Sequence, residues 1–125
     1  MAKILIVDDD PDVVDAAEMF LKKEGHDIAT ASSRSTGMQK VQEFGPELLI
    51  LDCMMEAVDD GMVMARELRS QGFSAPILML SSIGKVLGQD FDRDDEVLPV
   101  DEFIEKPVDP RVLIDKVSAV LNDSN

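Results

Sequence analysis

Aspartates punctuate this chain where apolar runs end. Asp8-Asp9-Asp10 follows Lys3–Val7, and Asp52 closes the run that begins at Glu47. Ser81 closes Pro76–Leu80, and Lys106 closes Glu102–Glu105. A carboxylate is a competent covalent acceptor for a phosphoryl group. Carboxylates crowded into one pocket repel each other, and a divalent cation relieves that repulsion. A site with few protein oxygens and room for water suits Mg²⁺ better than a dedicated Ca²⁺ cage. The same ion neutralises charge on a transferring phosphoryl group. Lys106 supplies a point charge for phosphate and Ser81 a hydroxyl. Taken one at a time, each residue has an ordinary explanation: a helix cap for Asp8 or Asp9, a turn for Asp52, a surface lysine for Lys106. Taken together, chemically matched residues at the ends of successive apolar runs single out a site.

Those runs read as strands. Apolar stretches alternate with amphipathic ones along the whole chain, the pattern of βα units with a parallel sheet. Lys3–Val7 is apolar enough to be buried on both faces. Asp10 is placed to N-cap the next helix, with Pro11 at its first position. Val13, Val14, Ala17, Phe20 and Leu21 form one face of that helix, and Gly25 closes it. A short strand is expected over 27–31 and a helix over 35–44, with Met38 and Val41 inward and Gly37 weakening it. Strands over 47–51, 76–80 and 102–105 follow. A helix over 60–70 turns Met62, Ala65 and Leu68 inward. A last helix starts from an Asp109 cap and runs through Leu113, Ile114, Val117, Val120 and Leu121. In an open parallel α/β sheet, ligands bind outside the carboxyl ends of the strands. That is where Asp8, Asp9, Asp52, Ser81 and Lys106 fall.

Composition narrows the function. The chain has 125 residues and a formal net charge of −14. Direct binding to nucleic acid is disfavoured, because it relies on lysine and arginine neutralising phosphates. Anionic membrane surfaces are disfavoured on the same ground. A single cysteine, Cys53, excludes an intramolecular disulfide. No apolar stretch approaches the roughly 20 residues that span a bilayer. These features point to a cytoplasmic chain of one domain, 1–125, without an output domain in this stretch: either a free-standing shuttle or a piece of something larger.

The motifs Ile-Leu-Ile-Val-Asp8-Asp9, Pro46-Glu-Leu-Leu-Ile-Leu-Asp52, Met55 with Gly61 beyond it, Leu-Ser81-Ser82 and Phe103-Ile-Glu-Lys106-Pro107 resemble those of the CheY-like receiver domains of two-component response regulators. The resemblance covers nearly the whole chain. It implies a doubly wound, five-stranded parallel sheet of the flavodoxin type, with strand order 2-1-3-4-5. It implies that Asp52 accepts phosphate from a histidine kinase or a histidine phosphotransfer protein. Asp9 and Asp52 are then direct Mg²⁺ ligands together with the Met54 backbone carbonyl, and Asp8 acts largely through water. Ser81 is the switch hydroxyl, Phe103 the aromatic that turns inward behind it, and Lys106 the phosphate contact. The bond to Pro107 is expected to be cis, and the output is altered binding to a downstream protein. Such a domain is not a turnover enzyme; it promotes only its own phosphorylation and dephosphorylation.

The chain departs from the family in two places. Glu56 stands where a proline is usual, and Gly61 comes one residue late, which lengthens the loop after Asp52 and adds charge from Glu56, Asp59 and Asp60. Between Ser82 and Asp101 a fourth helix is due, but Gly84, Gly88, Pro99 and an acidic run replace its pattern, so that helix is expected to be short or irregular. Asp90, Asp92, Asp94 and Asp101 fit positions one, three, five and twelve of a calcium loop. Position six is Asp95 where glycine is needed, so a solvated acidic loop is the better reading. Met54 and Ile83 are apolar at positions flanking the path of attacking water, which implies slow autodephosphorylation. Two alternatives compete. One is a pseudo-receiver that binds partners without being phosphorylated. The other is a haloacid-dehalogenase-type phosphatase using Asp8 as nucleophile, a class that usually needs a longer chain and a cap.

Overall fold

The computed structural model describes residues 2–52, 60–81, 100–105 and 109–123, with the backbone alone for Asp60, Ser81, Glu105 and Asp123. Three of its strands are almost wholly apolar, and such strands are stable only when covered on both sides. They are β1 (Lys3–Val7), β3 (Leu48–Asp52) and β4 (Ile77–Ser81). β2 (Asp27–Ala31) and β5 (Glu102–Glu105) are less buried and form the edges. The five strands are parallel in the order β2-β1-β3-β4-β5. This is the expected doubly wound topology.

Four helices are present among the described residues: α1 (Pro11–Lys23), α2 (Arg34–Phe44), α3 (Asp60–Ser70) and α4 (Pro110–Asp123). They divide between the faces. Ala17 and Leu21 of α1 join Leu113, Val117 and Val120 of α4 over Ile4, Ile6, Leu48, Ile50, Leu78 and Leu80. Val41 of α2 joins Met62, Met64, Ala65 and Leu68 of α3 over Leu5, Val7, Leu49, Leu51, Ile77 and Met79. Successive residues of each central strand thus alternate between two apolar layers, as the two-residue period requires. Truncating a fully buried member such as Ile50 to alanine costs about 2–5 kcal/mol.

Local chemistry sets the helix ends. The Asp10 side chain accepts from the Asp12 N–H, and Pro11 opens α1. Gly25 follows the helix with φ 91°, a left-handed conformation suited to glycine. Ser33 caps α2 in a reciprocal box with Thr36, so the helix starts at Arg34, one residue before the sequence pattern indicates. Strand bounds differ as slightly. β3 starts at Leu48, directly after Glu47, whose carboxylate accepts from the Lys3 N–H at 3.0 Å. β4 starts at Ile77 and includes Ser81.

Gly37 has a use that helix propensity does not show. A Cβ there would lie 3.0 Å from Val7 Cγ1 and 3.0 Å from Met64 Cε. The missing side chain lets α2 sit close on β1 and α3. The fourth helix anticipated between Ser82 and Asp101 falls on positions 82–99, outside the described residues.

Candidate functional site

The register of the sheet brings Asp8, Asp52 and the backbone of Ser81 to one edge. Val7 is level with Leu51, so Asp8 and Asp52 end neighbouring strands at the same height. Asp52 is level with Leu80, and Ser81 with Glu105, the residue before Lys106. One ligand oxygen from each of Asp8, Asp9 and Asp52 lies within 4.8 Å of the others. Asp8 and Asp52 are 1% and 3% exposed, the only polar side chains buried to that degree among the described residues, whereas Asp9 is exposed.

Burying a charge is unfavourable unless something compensates it. Two buried carboxyl side chains at the carboxyl edge of the sheet, with a third beside them, gather oxygens that could hold a cation. The donors fit a small divalent ion. Oxygens on opposite sides of Mg²⁺ stand about 4.2 Å apart when each ligand distance is about 2.1 Å. Atoms gathered within 4.8 Å need only slight adjustment to share one ion. Hard carboxylate oxygens, without a nitrogen or sulfur donor among them, suit Mg²⁺ rather than zinc or copper.

Asp8 is fixed from two sides. Its N–H donates to the Ala31 carbonyl at 3.1 Å, and its Oδ1 accepts from the Asp10 N–H at 2.9 Å. Phe103, on β5, is partly buried against the α2/α3 layer, with Met79 level beside it on β4. Asp52 lies on the other face, because it follows Ile50 by one strand period. The Ser81 backbone is at the expected edge. Met54, Lys106 and Pro107 lie outside the described residues, as do Cys53, Glu56 and Asp59.

Two polar groups have roles that the sequence patterns do not show. Asp101, which fits position twelve of a calcium register, is a brace at the opposite end of the sheet. Its Oδ2 accepts from the Ile77 N–H at 2.8 Å and from Arg69 at 3.0 Å, and its own N–H donates to the Ile77 carbonyl. Arg69 also donates to the Phe73 and Ala75 carbonyls. His26 accepts the Ala2 N–H through Nδ1 at 3.1 Å, and burial lowers its pKa below the usual histidine value. An Asp directly before a short strand and an Arg in the last turn of a helix are the sequence traces of the first brace. Nothing local pairs them across such a distance in the chain.

A parallel sheet in the order 2-1-3-4-5 with acidic residues gathered at its carboxyl edge defines a receiver-type signalling domain. The chain belongs to the response regulator receiver domain family, whose pattern matches residues 4–118. It is 34% identical over 126 residues to the alkaline phosphatase synthesis transcriptional regulatory protein PhoP of Bacillus subtilis (strain 168), covering 98% of this chain and 49% of that protein. The chain therefore spans about half the length of this curated relative. The BeF3-activated N-terminal receiver domain of Klebsiella pneumoniae RstA is 27% identical with a TM-score of 0.82, over 95% of this chain and 97% of that one. A CheY-like receiver domain protein from Methanospirillum hungatei JF-1 shares the fold, with a TM-score of 0.85 at 23% identity, covering 98% of this chain and 95% of that one.

Proposed function

We propose that this domain is a phosphorylation-controlled switch of a two-component phosphorelay, with Asp52 as the phosphoacceptor. The observation that carries this reading is the convergence of the Asp8, Asp9 and Asp52 carboxylates, two of them buried, at the carboxyl edge of the sheet. The phosphate donor is a histidine kinase or a histidine phosphotransfer protein. An Asp52 carboxylate oxygen forms the new bond to phosphorus as the bond from phosphorus to the donor histidine nitrogen breaks. That nitrogen keeps the electron pair, and Asp52 becomes an acyl phosphate.

Asp8, Asp9 and Asp52 are the side chains that would hold Mg²⁺, with the Met54 carbonyl as a further ligand. The bound cation supplies charge neutralisation for the phosphoryl group. Lys106 pairs with a phosphate oxygen and Ser81 hydrogen-bonds another. Asp52 and Phe103 lie on opposite faces of the sheet, and β4 lies between their strands. In this reading Ser81, the last residue of β4, links acceptor to aromatic. The readout is changed affinity for a protein target in the cytoplasm. The domain has no substrate to turn over beyond its own phosphate. The net charge of −14 favours a partner with a basic docking surface over nucleic acid or an anionic membrane.

The test is intact mass after incubation with Mg²⁺ and acetyl phosphate. One added phosphoryl group on the native chain and none on Asp52→Asn is the expected result. No adduct on either chain, with Mg²⁺ binding established separately, supports a pseudo-receiver instead. Loss of the adduct on Asp8→Asn but not on Asp52→Asn supports phosphatase-type chemistry.

A further inference from the structure

We propose that Asp10 is a positioning residue for the cation site, acting through the backbone that it holds rather than through its charge. The Asp10 side chain accepts from the Asp12 N–H at 3.0 Å and caps α1. The Asp10 N–H donates to Asp8 Oδ1 at 2.9 Å. Its carbonyl accepts from Val14 at 3.1 Å, the first turn of the helix. One residue thus ties the start of α1 to a buried carboxylate of the site. Pro11 at the first helical position fixes the following φ and stiffens the link.

The effect on the site follows from what Asp8 must do. Its carboxylate is 1% exposed and sits within 4.8 Å of oxygens from Asp9 and Asp52. Like charges at that spacing push the side chains apart, and a site that has to be reassembled for each ion binds it less tightly. A hydrogen bond from a well-placed peptide N–H holds one Asp8 oxygen and aims the other. That peptide stays in place only while the cap holds it. The Asp10 carboxylate is exposed and engaged at the helix end, so its task is geometric.

This inference rests on the cation site proposed above, and the experiment separates the two. Mg²⁺ affinity is measured by calorimetric titration on the native chain, Asp52→Asn, Asp10→Ala, Asp10→Asn and Asp10→Ser, at a temperature where circular dichroism shows every variant folded. Asparagine and serine keep a capping oxygen without the charge. The expected pattern is native-like affinity, within about twofold, for Asp10→Asn and Asp10→Ser, and a loss of about tenfold for Asp10→Ala, the low end for an outer-shell partner. Native-like affinity in Asp10→Ala would overturn the role of Asp10 while leaving the site intact. A loss in Asp10→Asn as large as in Asp10→Ala would overturn it in favour of simple charge attraction. No Mg²⁺ binding by the native chain, or binding unaffected by Asp52→Asn, would remove the site and the positioning role with it.

Discussion

The two ends of the sheet handle charge in opposite ways. At the amino end, polar side chains are spent on backbone groups. His26 takes the Ala2 N–H, Glu47 takes the Lys3 N–H, and Asp101 takes the Ile77 N–H while pairing with Arg69. At the carboxyl end, Asp8, Asp9 and Asp52 bring like charges together, two of them buried. The first arrangement lowers the energy of the folded chain. The second gathers oxygens that could hold a cation. Polar groups spent on the backbone make a scaffold, and carboxylates gathered at one edge make a site.

Substitutions at each end should therefore move stability in opposite directions. The largest effect is expected at the amino end. Arg69→Ala removes two hydrogen bonds to carbonyls and the charge partner of Asp101. It should destabilise the domain by about 2 kcal/mol in urea unfolding. A change below about 0.5 kcal/mol would mean that the brace is ornamental. Between the two ends, Gly37→Ala tests the packing that joins α2 to β1. Helix propensity alone predicts a gain of about 1 kcal/mol. The contacts at 3.0 Å with Val7 and Met64 predict a net loss of about 1 kcal/mol, because Val7 is a stiff strand residue that cannot yield as Met64 can. The midpoint of thermal unfolding gives the sign.

At the carboxyl end, Asp52→Asn should stabilise the domain in Mg²⁺-free buffer, by up to about 1 kcal/mol, through relief of repulsion. Saturating Mg²⁺ should narrow or reverse that gain by stabilising the native chain selectively. An Asp52→Asn chain that is less stable in both conditions would break the contrast between the ends. The smallest effect is the pH dependence of His26. Its folded pKa is depressed, so the unfolded chain binds the proton more readily. The contribution is present above about pH 6.5, the unfolded value, and is lost as pH falls through the lowered folded value. Thermal scans between pH 7.5 and pH 5.5 should show a decline that His26→Gln flattens.

Much of this was legible in the chain itself. Continuous apolar runs, the caps at Asp10 and Asp109 and the breaks at Gly25 and Gly45-Pro46 place every described strand within one residue of its observed start. The site residues were legible for the same reason: a parallel sheet has one chemically open edge, and strand-final residues must lie there. Met64 was less legible. The spacing of Met62, Ala65 and Leu68 accounts for an inward face without it, yet it is wholly buried and covers Gly37.

The alternation of elements, the depth of the central strands and the acidic character of one edge follow from local periodicity and residue type alone. Which of the aspartates are buried, that Gly37 is a close-packing position, and that Asp101 braces the scaffold emerge only once the elements are packed. Those properties depend on what lies across the sheet or in the neighbouring helix. Asp101 meets Arg69 and Ile77 only after α3, β4 and β5 have been brought side by side.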